Sequence, residues 1–318
     1  MQLIDKIFSR PELQQQPPVL LDIGASGEIH FRWKKIARYS ICIAFDPDER
    51  EYRYITRETG NYKKLHVFNC IVSDLNDNAH PFYLTASPFC SSFLSPRADR
   101  LAPYDFARKF EVEKQLRLPV RKLTDILAEL QITYVDWFKT DSQGLDLRIF
   151  RSLGDALIRG VKIAEFEPGI MDAYMEEDKL HQVLAFMDTH PFFLSRFTVK
   201  GPSRISPAAL AMLSGNSLMQ KLMAATHKKT AGWGELVYLN TFERREGITL
   251  RDYLLGGAVA LLNEEYGLAL ELMQQARQDF SDPLLEEIKD HAAKAVRRSL
   301  LNLRFLPHVW RKVKRKTP

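Results

Sequence analysis

The sequence predicts an α/β chain in which a doubly wound sheet is followed by an all-helical extension. Three observations support this class: short apolar runs alternate with helical patterns over residues 19–240, several of those runs are continuously apolar, and residues 247–318 show helical periodicity alone. Strand and helix in repeated alternation build a doubly wound sheet, and strands covered by helices on both faces appear as continuous apolar runs.

The predicted elements follow in chain order. Residues 1–16 form an N-terminal leader with a short amphipathic helical pattern, and Pro17-Pro18 ends it because proline cannot continue a helix. Strands are expected at residues 19–23, 41–45, 66–72, 134–139, 161–166, 192–199 and 235–240, and helices at residues 29–39, 48–58, 124–130, 145–153 and 176–190.

Two insertions interrupt this alternation within the main domain, residues 17–246. Residues 75–119 are predicted to be long and irregular, and residues 202–229 contain a Met-rich helical pattern. The helical extension covers residues 247–318, and Thr249 is the expected N-cap of its first helix. Its helices are expected at residues 250–263, 265–280 and 283–306.

The composition excludes several classes of protein. The 318 residues are 45% hydrophobic and 27% charged, unlike a disordered or low-complexity chain. No apolar run reaches the roughly 18 residues of a membrane span, and the N-terminus lacks a secretory pattern, so the chain is expected in the cytoplasm. The three cysteines form no Cys-x-x-Cys pair and the histidines are scattered, which indicates neither a disulfide framework nor a metal site.

A turn of small residues directly follows the first predicted strand. Glycine residues there permit positive φ and a close approach of the backbone to a ligand. About 20 residues later the second strand ends in an aspartate, whose carboxylate can accept hydrogen bonds from ribose hydroxyls. Together these features favour a nucleoside-containing cofactor over a structural turn. The predicted cofactor-binding residues of the two strand ends are Asp22, Gly24, Ala25, Ser26, Gly27 and Asp46.

The residues of the turn favour S-adenosylmethionine over a nicotinamide dinucleotide. A dinucleotide motif requires Gly-x-Gly-x-x-Gly, and the spacing of Gly24, Ser26 and Gly27 does not meet it. Asp22 is unfavourable beside a pyrophosphate, but it suits the amino group of S-adenosylmethionine, which carries no phosphate. A nicotinamide-dependent dehydrogenase is therefore disfavoured.

Three motifs at predicted strand ends occur in an order typical of one known family. They are DIGASG at residues 22–27, FDPD at residues 45–48 and, most specifically, KTDSQG at residues 139–144. In these motifs the chain resembles FkbM-type methyltransferases over roughly residues 19–240. The resemblance implies a Rossmann-like class I methyltransferase sheet, S-adenosylmethionine as cofactor and methylation of a hydroxyl oxygen. Two departures are Glu28, where a second consecutive glycine is often found, and Asp46, where glutamate is usual.

Polar residues at the ends of two later strands are the candidates for catalysis. Asp141 is expected either to remove or orient the proton of an acceptor hydroxyl, or to cap the helix that follows. Lys139 either pairs with Asp141, binds an acidic acceptor or lies in solvent. Period-two geometry sends Glu165 and Glu167 to one side of their strand, either into the ligand crevice or to the surface.

Two weaker ligand signals lie between these strands. Ser73 and Asp74 follow the third predicted strand and either border the adenine or form an ordinary turn. In the first insertion, aromatic residues lie among arginines, which suits a sugar with a nearby phosphate and equally a loop packed on its own domain. These residues are Phe89, Phe93, Tyr104 and Phe106, with Arg97, Arg100 and Arg108.

The C-terminal tail, residues 297–316, combines eight Lys or Arg residues with apolar residues that include Trp310. A basic amphipathic helix with tryptophan is typical of peripheral contact with an anionic membrane. The alternative is a helix docked on the body of the protein.

The expected function is S-adenosylmethionine-dependent O-methylation of a sugar, glycan or related small-molecule acceptor. One alternative is an RNA-modifying methyltransferase in which the tail binds phosphates, but no RNA-recognition motif is present and no nucleic-acid partner is expected. Another is a catalytically inactive methyltransferase-like scaffold, suggested by Glu28. The oligomeric state stays open.

Overall fold

A computed structural model of the chain describes residues 2–25, 32–48, 61–243 and 247–299. The chain divides into two compact units. One is Pro17–Thr241, and the other combines Met1–Gln16 with Phe242–Pro318. The leader and the helical extension, which the sequence pattern separates, therefore belong to one unit.

A seven-stranded sheet forms the centre of the Pro17–Thr241 unit, which confirms the mixed α/β class. Its order is β3-β2-β1-β7-β8-β10-β9. The pairs from β3 to β8 are parallel, and β10 runs antiparallel to both of its neighbours. The strands are β1 Val19–Ile23, β2 Ile41–Phe45, β3 Lys64–Phe68, β7 Trp137–Thr140, β8 Ile163–Phe166, β9 Phe192–Lys200 and β10 Trp233–Asn240.

A second sheet corrects the prediction of an irregular first insertion. It has the order β4-β6-β5, with β4 Ile71–Ser73, β5 Asp77–Thr85 and β6 Val112–Lys122. The apolar residues of β6 alternate with polar ones, as in a sheet with one solvated face, and Val120 packs with Ile71 and Phe82.

Prolines obscured this sheet in the sequence, since proline usually argues against a central strand. Pro119 is tolerated in β6 because the pairing changes beside it: β4 pairs from Val120 onward, and the β5 register shifts between Asp77 and His80. The single strand predicted at residues 66–72 is thus β3 and β4, one in each sheet.

Short helices connect the strands of this unit. The predicted helix at residues 176–190 begins only at Leu180, because Glu176 has φ of +55° and cannot be helical. Residues 32–39 form two 3₁₀ turns, Trp33–Lys35 and Ala37–Tyr39. Residues 49–58 of the helix predicted at 48–58 lie outside the described residues. The helices are α3 Ala98–Leu101, α4 Leu123–Glu129, α5 Asp146–Ser152, α6 Gly154–Gly160, α7 Leu180–Met187, α8 Pro207–Leu213 and α9 Ser217–Thr226.

The core beside the sheet fixes the helix that follows β7. Phe150 of α5 lies 4.8 Å from Phe138 of β7 and 5.1 Å from Phe166 of β8, between ring centroids, and all three are buried. These contacts hold the start of α5 over the carboxyl ends of β7 and β8. The turn between β7 and α5 is therefore anchored at both of its ends.

The second unit is helical in its described residues. Thr249 caps its first long helix by accepting a hydrogen bond from the N–H of Asp252, as the sequence predicts. Arg10 of the leader pairs with Asp282 at 2.6 Å. The helices are α1 Leu3–Phe8, α2 Pro11–Gln15, α10 Leu250–Leu262, α11 Tyr266–Asp279 and α12 Pro283–Ser299.

Candidate functional site

A cavity lies where the chain order of the central sheet reverses. The strand β1 is flanked by β2 on one side and by β7 on the other, so the connections diverge at this point and leave a crevice at the carboxyl ends of the strands. We call it the switch-point cavity. Its polar lining includes Asp46, Asp48, Asp141 and Gln143, and its apolar walls include Ile71, Val72, Phe82 and Phe93.

The end of β2 supplies two carboxylates to the switch-point cavity. Asp46 is buried, and its Oδ1 accepts a hydrogen bond from the N–H of Asp48 at 2.8 Å. The predicted residue thus lines the cavity, and Asp48, which the site prediction omitted, lines it as well. The FDPD motif at residues 45–48 already contained the second carboxylate.

The turn after β1 is fixed by its neighbouring strands. The N–H groups of Gly24 and Ala25 both donate to the carbonyl of Phe45, at 2.9 and 3.0 Å. Gly24 has φ of +75°, and a Cβ built there lies 2.1 Å from the carbonyl oxygen of Asp141. The backbone alone therefore requires this glycine. Gly24 lines the cavity and Ala25 does not, while Ser26 and Gly27 lie outside the described residues.

Three predicted site residues form a buried charge row beneath the cavities instead of lining them. Asp22, Lys139 and Glu165 are paired across β1, β7 and β8. The ammonium of Lys139 lies 2.7 Å from Asp22 Oδ1. Burial lowers the pKa of Lys139, but the charge of Asp22 and its hydrogen bond raise it, and the net shift is upwards. None of the three lines either cavity, and their roles in cofactor binding and catalysis stay predictions.

Glu165 is held by partners on its own face of the sheet. Its Oε1 accepts a hydrogen bond from Trp137 Nε1 at 2.7 Å, and its Oε2 lies 3.6 Å from Arg32. Burial raises the pKa of Glu165 to about 7 in spite of the hydrogen bond from Trp137. The side chain is neither a surface charge nor directed into the crevice.

Ser73 ends β4, and Asp74 follows it. The Ser73 hydroxyl donates to Asp74 Oδ1 at 2.9 Å, and Asp74 is exposed. The cavity wall is formed by residues 70–72, immediately before them. The pair follows the end of that wall and lines neither cavity.

Asp141 lies at the junction of the switch-point cavity and a second cavity. Its N–H donates to the carbonyl of Ile23 at 2.9 Å, and its carboxylate accepts a hydrogen bond from the side-chain amide of Gln143. Burial raises the pKa of Asp141, and the positive charge of Lys139 partly opposes that effect. Asp141 and Gln143 line both cavities. Asp141 does not cap α5, whose N-cap position is Leu145.

The second cavity, which we call the aromatic cavity, has a volume of about 290 Å³. Glu167 and Glu177 line it with Lys109, so carboxylates dominate its charge. The Tyr174 hydroxyl lies 2.9 Å from Gln143 Oε1, which connects this wall to Asp141. The aromatic side chains of the lining are Phe89, Phe106, Phe110, Tyr174 and Trp233.

Glu165 and Glu167 differ because only Glu167 extends beyond the strand end into a cavity. Burial, followed by the charge of Asp141, raises the pKa of Glu167 to about 9. Burial also raises the pKa of Glu177, although Lys179 pairs with that carboxylate at 2.7 Å. Two buried acids of elevated pKa, Asp141 and Glu167, thus line the same cavity.

Asp146 joins the ends of β7 and β8 beneath these acids. Its Oδ1 accepts hydrogen bonds from Thr140 Oγ1 and from the N–H and hydroxyl of Ser142, at 3.1, 3.0 and 2.5 Å. Its Oδ2 accepts the N–H of Glu167 at 2.7 Å. Burial raises the pKa of Asp146 to about 6. Sequence analysis missed this positioning residue, because its four donors come together only in the folded chain.

The aromatic and basic residues of the first insertion separate in the structure. Phe89 and Phe106 line the aromatic cavity, and Phe93 lines the switch-point cavity. Arg97 instead pairs with Asp99 at 3.1 Å, and Arg100 lies between Asp99 and Asp172. Tyr104 packs edge-on against Phe106 and Arg204 lies over its ring. The aromatic residues therefore fit a ligand, while none of the three arginines lines a cavity.

Among the described residues, no group of His, Cys, Asp and Glu side chains is arranged to hold a metal ion. Within the same residues, no helix combines the length and apolar character of a membrane crossing. The tail from residue 300 onward lies outside the described residues. Comparisons with protein-family models, with curated proteins and with solved structures find no match to this chain.

Proposed function

We propose that the chain is an S-adenosylmethionine-dependent O-methyltransferase that acts on a hydroxyl of a sugar, glycan or related small molecule. The observation that carries this proposal is the junction of two cavities at the end of β7, where Asp141 and Gln143 line both. A group-transfer enzyme must bring two ligands together at one point. The resemblance of the sequence motifs to FkbM-type methyltransferases agrees with this assignment.

The charge of the switch-point cavity suits S-adenosylmethionine, whereas its volume of about 70 Å³ is smaller than that cofactor. Asp46, Asp48 and Asp141 contribute carboxylates, and the described residues that line the cavity include no Lys or Arg. These carboxylates repel the pyrophosphate of a dinucleotide and attract a sulfonium and an ammonium group. Asp46 and Asp48 would hold ribose hydroxyls, and the apolar wall of Ile71, Val72 and Phe82 would hold the adenine. The bound cofactor supplies an electrophilic methyl group.

The aromatic cavity suits the acceptor. Its aromatic faces cover the apolar faces of a sugar ring, and the carboxyl groups of Glu167 and Glu177 can exchange hydrogen bonds with hydroxyl groups. Its volume is close to the lower end of small-molecule sites, roughly 300 Å³. Phosphate groups of RNA would meet mainly carboxylates here, so a small neutral or cationic acceptor is favoured.

The proposed role of Asp141 is to remove the acceptor proton. Its raised pKa makes it a better base than an exposed aspartate, and Lys139 keeps part of its charge. Gln143 holds one carboxylate oxygen, and Tyr174 in turn holds Gln143 at 2.9 Å, so the carboxylate keeps one orientation. Glu167 is protonated at neutral pH and can donate a hydrogen bond to the acceptor.

The test is transfer of a labelled methyl group from S-adenosylmethionine to a glycan extract of the producing cell. Asp141→Asn should lower the rate at saturating S-adenosylmethionine by ~10²-fold, since an amide cannot take the proton. Asp155→Asn, at an exposed carboxylate of α6, is the matched control and should leave the rate unchanged. Transfer by Asp141→Asn at the unaltered rate would remove Asp141 from the mechanism.

A further inference from the structure

The helical hairpin of α8 and α9 exposes large apolar side chains on both helices. Met212 and Leu213, at the end of α8, are 88% and 65% exposed, and Leu218, in the first turn of α9, is 74% exposed. Met219 and Leu222 extend this surface along α9, which has no buried residue. Monomeric proteins rarely expose an apolar patch of this kind unless it contacts a partner or a membrane.

The charged residues of the hairpin segment are all basic, and Lys229 at its base pairs with Asp105 of the first insertion. Residues 201–234 contain no Asp or Glu, although 40 of the 318 residues of the chain are acidic. Lys221 is three residues from Leu218 and adjacent to Leu222, so it borders the apolar face of α9. Lys228 is exposed just beyond the end of α9. An exposed apolar surface with a basic border attracts a partner that is apolar inside and anionic outside.

The turn between α8 and α9 is closed by local hydrogen bonds. Asn216 caps α9 by accepting hydrogen bonds from the N–H groups of Leu218 and Met219, at 2.9 and 3.2 Å. The side-chain amide of Gln220 donates to the carbonyl of Ser214 at 2.7 Å, which closes the turn. The exposed residues of α8 and α9 therefore flank one short turn, and none of them lines the switch-point or the aromatic cavity.

We infer that the α8–α9 hairpin docks on the surface of an anionic phospholipid bilayer. A bilayer accepts the Leu and Met side chains below its headgroups and pairs its phosphates with Lys221 and Lys228. A second copy of the chain is a poorer occupant, because a two-fold contact would place like charges together with no carboxylate from this segment. A partner helix would require a groove, and the exposed residues of the hairpin line neither the switch-point nor the aromatic cavity.

The base of the hairpin adjoins the aromatic cavity in the chain. The base of the hairpin is closed by a hydrogen bond from the N–H of Thr230 to the carbonyl of Pro202 at 2.9 Å. Gly232 and Trp233, which follow that base, line the aromatic cavity. The inference itself does not depend on the proposed methyl transfer, because it concerns only the surface of the hairpin.

The test is co-sedimentation of the full-length protein with phosphatidylcholine vesicles prepared with and without phosphatidylglycerol. A variant with Met212→Ser, Leu213→Ser, Leu218→Ser and Leu222→Ser should bind the anionic vesicles at least about tenfold more weakly than the unaltered protein. The matched control replaces Val112 and Val296, exposed by 47% and 42%, with serine and should bind normally. Lys221→Gln with Lys228→Gln should weaken binding to the anionic vesicles only.

A fluorescent label separates the hairpin from the basic tail. Leu218→Cys can carry an environment-sensitive dye, since the three native cysteines are buried. The inference predicts a blue shift on anionic vesicles and quenching by a lipid-phase quencher, with no change for the same dye at Val112→Cys. A dye at residue 218 that stays in water while the protein sediments would assign binding to the tail and overturn the inference. A dimer in vesicle-free solution that dissociates when the four apolar residues are replaced by serine would also overturn the inference.

Discussion

Replacement of Glu167 by glutamine should stabilise the protein by an amount that grows with pH. The folded-state pKa of Glu167 is raised from the ordinary 4.5 to about 9, chiefly by burial and then by the charge of Asp141. Between these two pH values Glu167 is ionised in the unfolded chain and protonated in the folded chain. The contribution of Glu167 to the free energy of unfolding is therefore fully present below pH 4.5 and is lost as the pH rises towards 9. Glutamine resembles the protonated acid and has no charge to lose.

The size of this effect follows from the separation of the two pKa values. At about 1.4 kcal/mol per unit, the gain of Glu167→Gln in free energy of unfolding should be near zero at pH 4, about 3 kcal/mol at pH 7 and about 6 kcal/mol at pH 9. Coupling to Asp141 and the partial exposure of Glu167 make these values upper bounds.

Urea unfolding at several pH values measures the gain. Tryptophan fluorescence reports mainly on the unit that contains Glu167, because three of the four tryptophans, Trp33, Trp137 and Trp233, belong to Pro17–Thr241 and only Trp310 belongs to the other unit. Glu113→Gln, at an exposed position of β6, is the control and should show no pH-dependent gain. A difference between Glu167→Gln and the unaltered protein that stays constant from pH 5 to pH 9 would refute the assignment of a protonated, buried acid.

Two further predictions concern the charge row and the tail. Lys139→Met should lower the free energy of unfolding by about 3 kcal/mol, because it leaves the carboxylate of Asp22 without its partner at 2.7 Å. Urea unfolding measures this change. Unchanged stability with lost turnover would instead indicate a catalytic role for Lys139. A chain ending at Leu306 lacks five basic residues of the tail, each of which contributes about 1 kcal/mol to binding near an anionic surface. In vesicle co-sedimentation this shorter chain should bind more weakly than the full-length protein, and the difference should shrink at high salt. Equal, salt-independent binding of both chains would make the tail structural.

The strand ends that depend on local pattern could be predicted from the sequence. The strands β1 and β2 have the expected bounds, and Gly24, Asp46 and Asp141 line the switch-point cavity as expected. Each follows a continuous apolar run, and in a parallel sheet such strand ends meet at one edge. The location of Gly24, Asp46 and Asp141 at strand ends was therefore enough to predict that they lie close together.

The roles that depend on tertiary contacts could not be predicted. Period two places Glu165 and Glu167 on one side of β8, but only the fold shows that Trp137 and Arg32 contact the first while the second reaches the aromatic cavity. Asp146 was not among the candidates from the sequence, because its contact with the N–H of Glu167 spans 21 residues. Non-local hydrogen bonds of this kind leave no periodic signal in the sequence.

Calorimetric titration with S-adenosylmethionine tests the central claim most directly. The account predicts that the protein binds S-adenosylmethionine and not NAD, and that Asp46→Asn loses roughly 1.5 to 3 kcal/mol of binding free energy, the value of a hydrogen bond to a charged group. Asp74→Asn, at the exposed carboxylate that does not line the cavity, should bind normally. No heat of binding with S-adenosylmethionine, or equal affinity in the Asp46 variant and the unaltered protein, would contradict the assignment of the switch-point cavity.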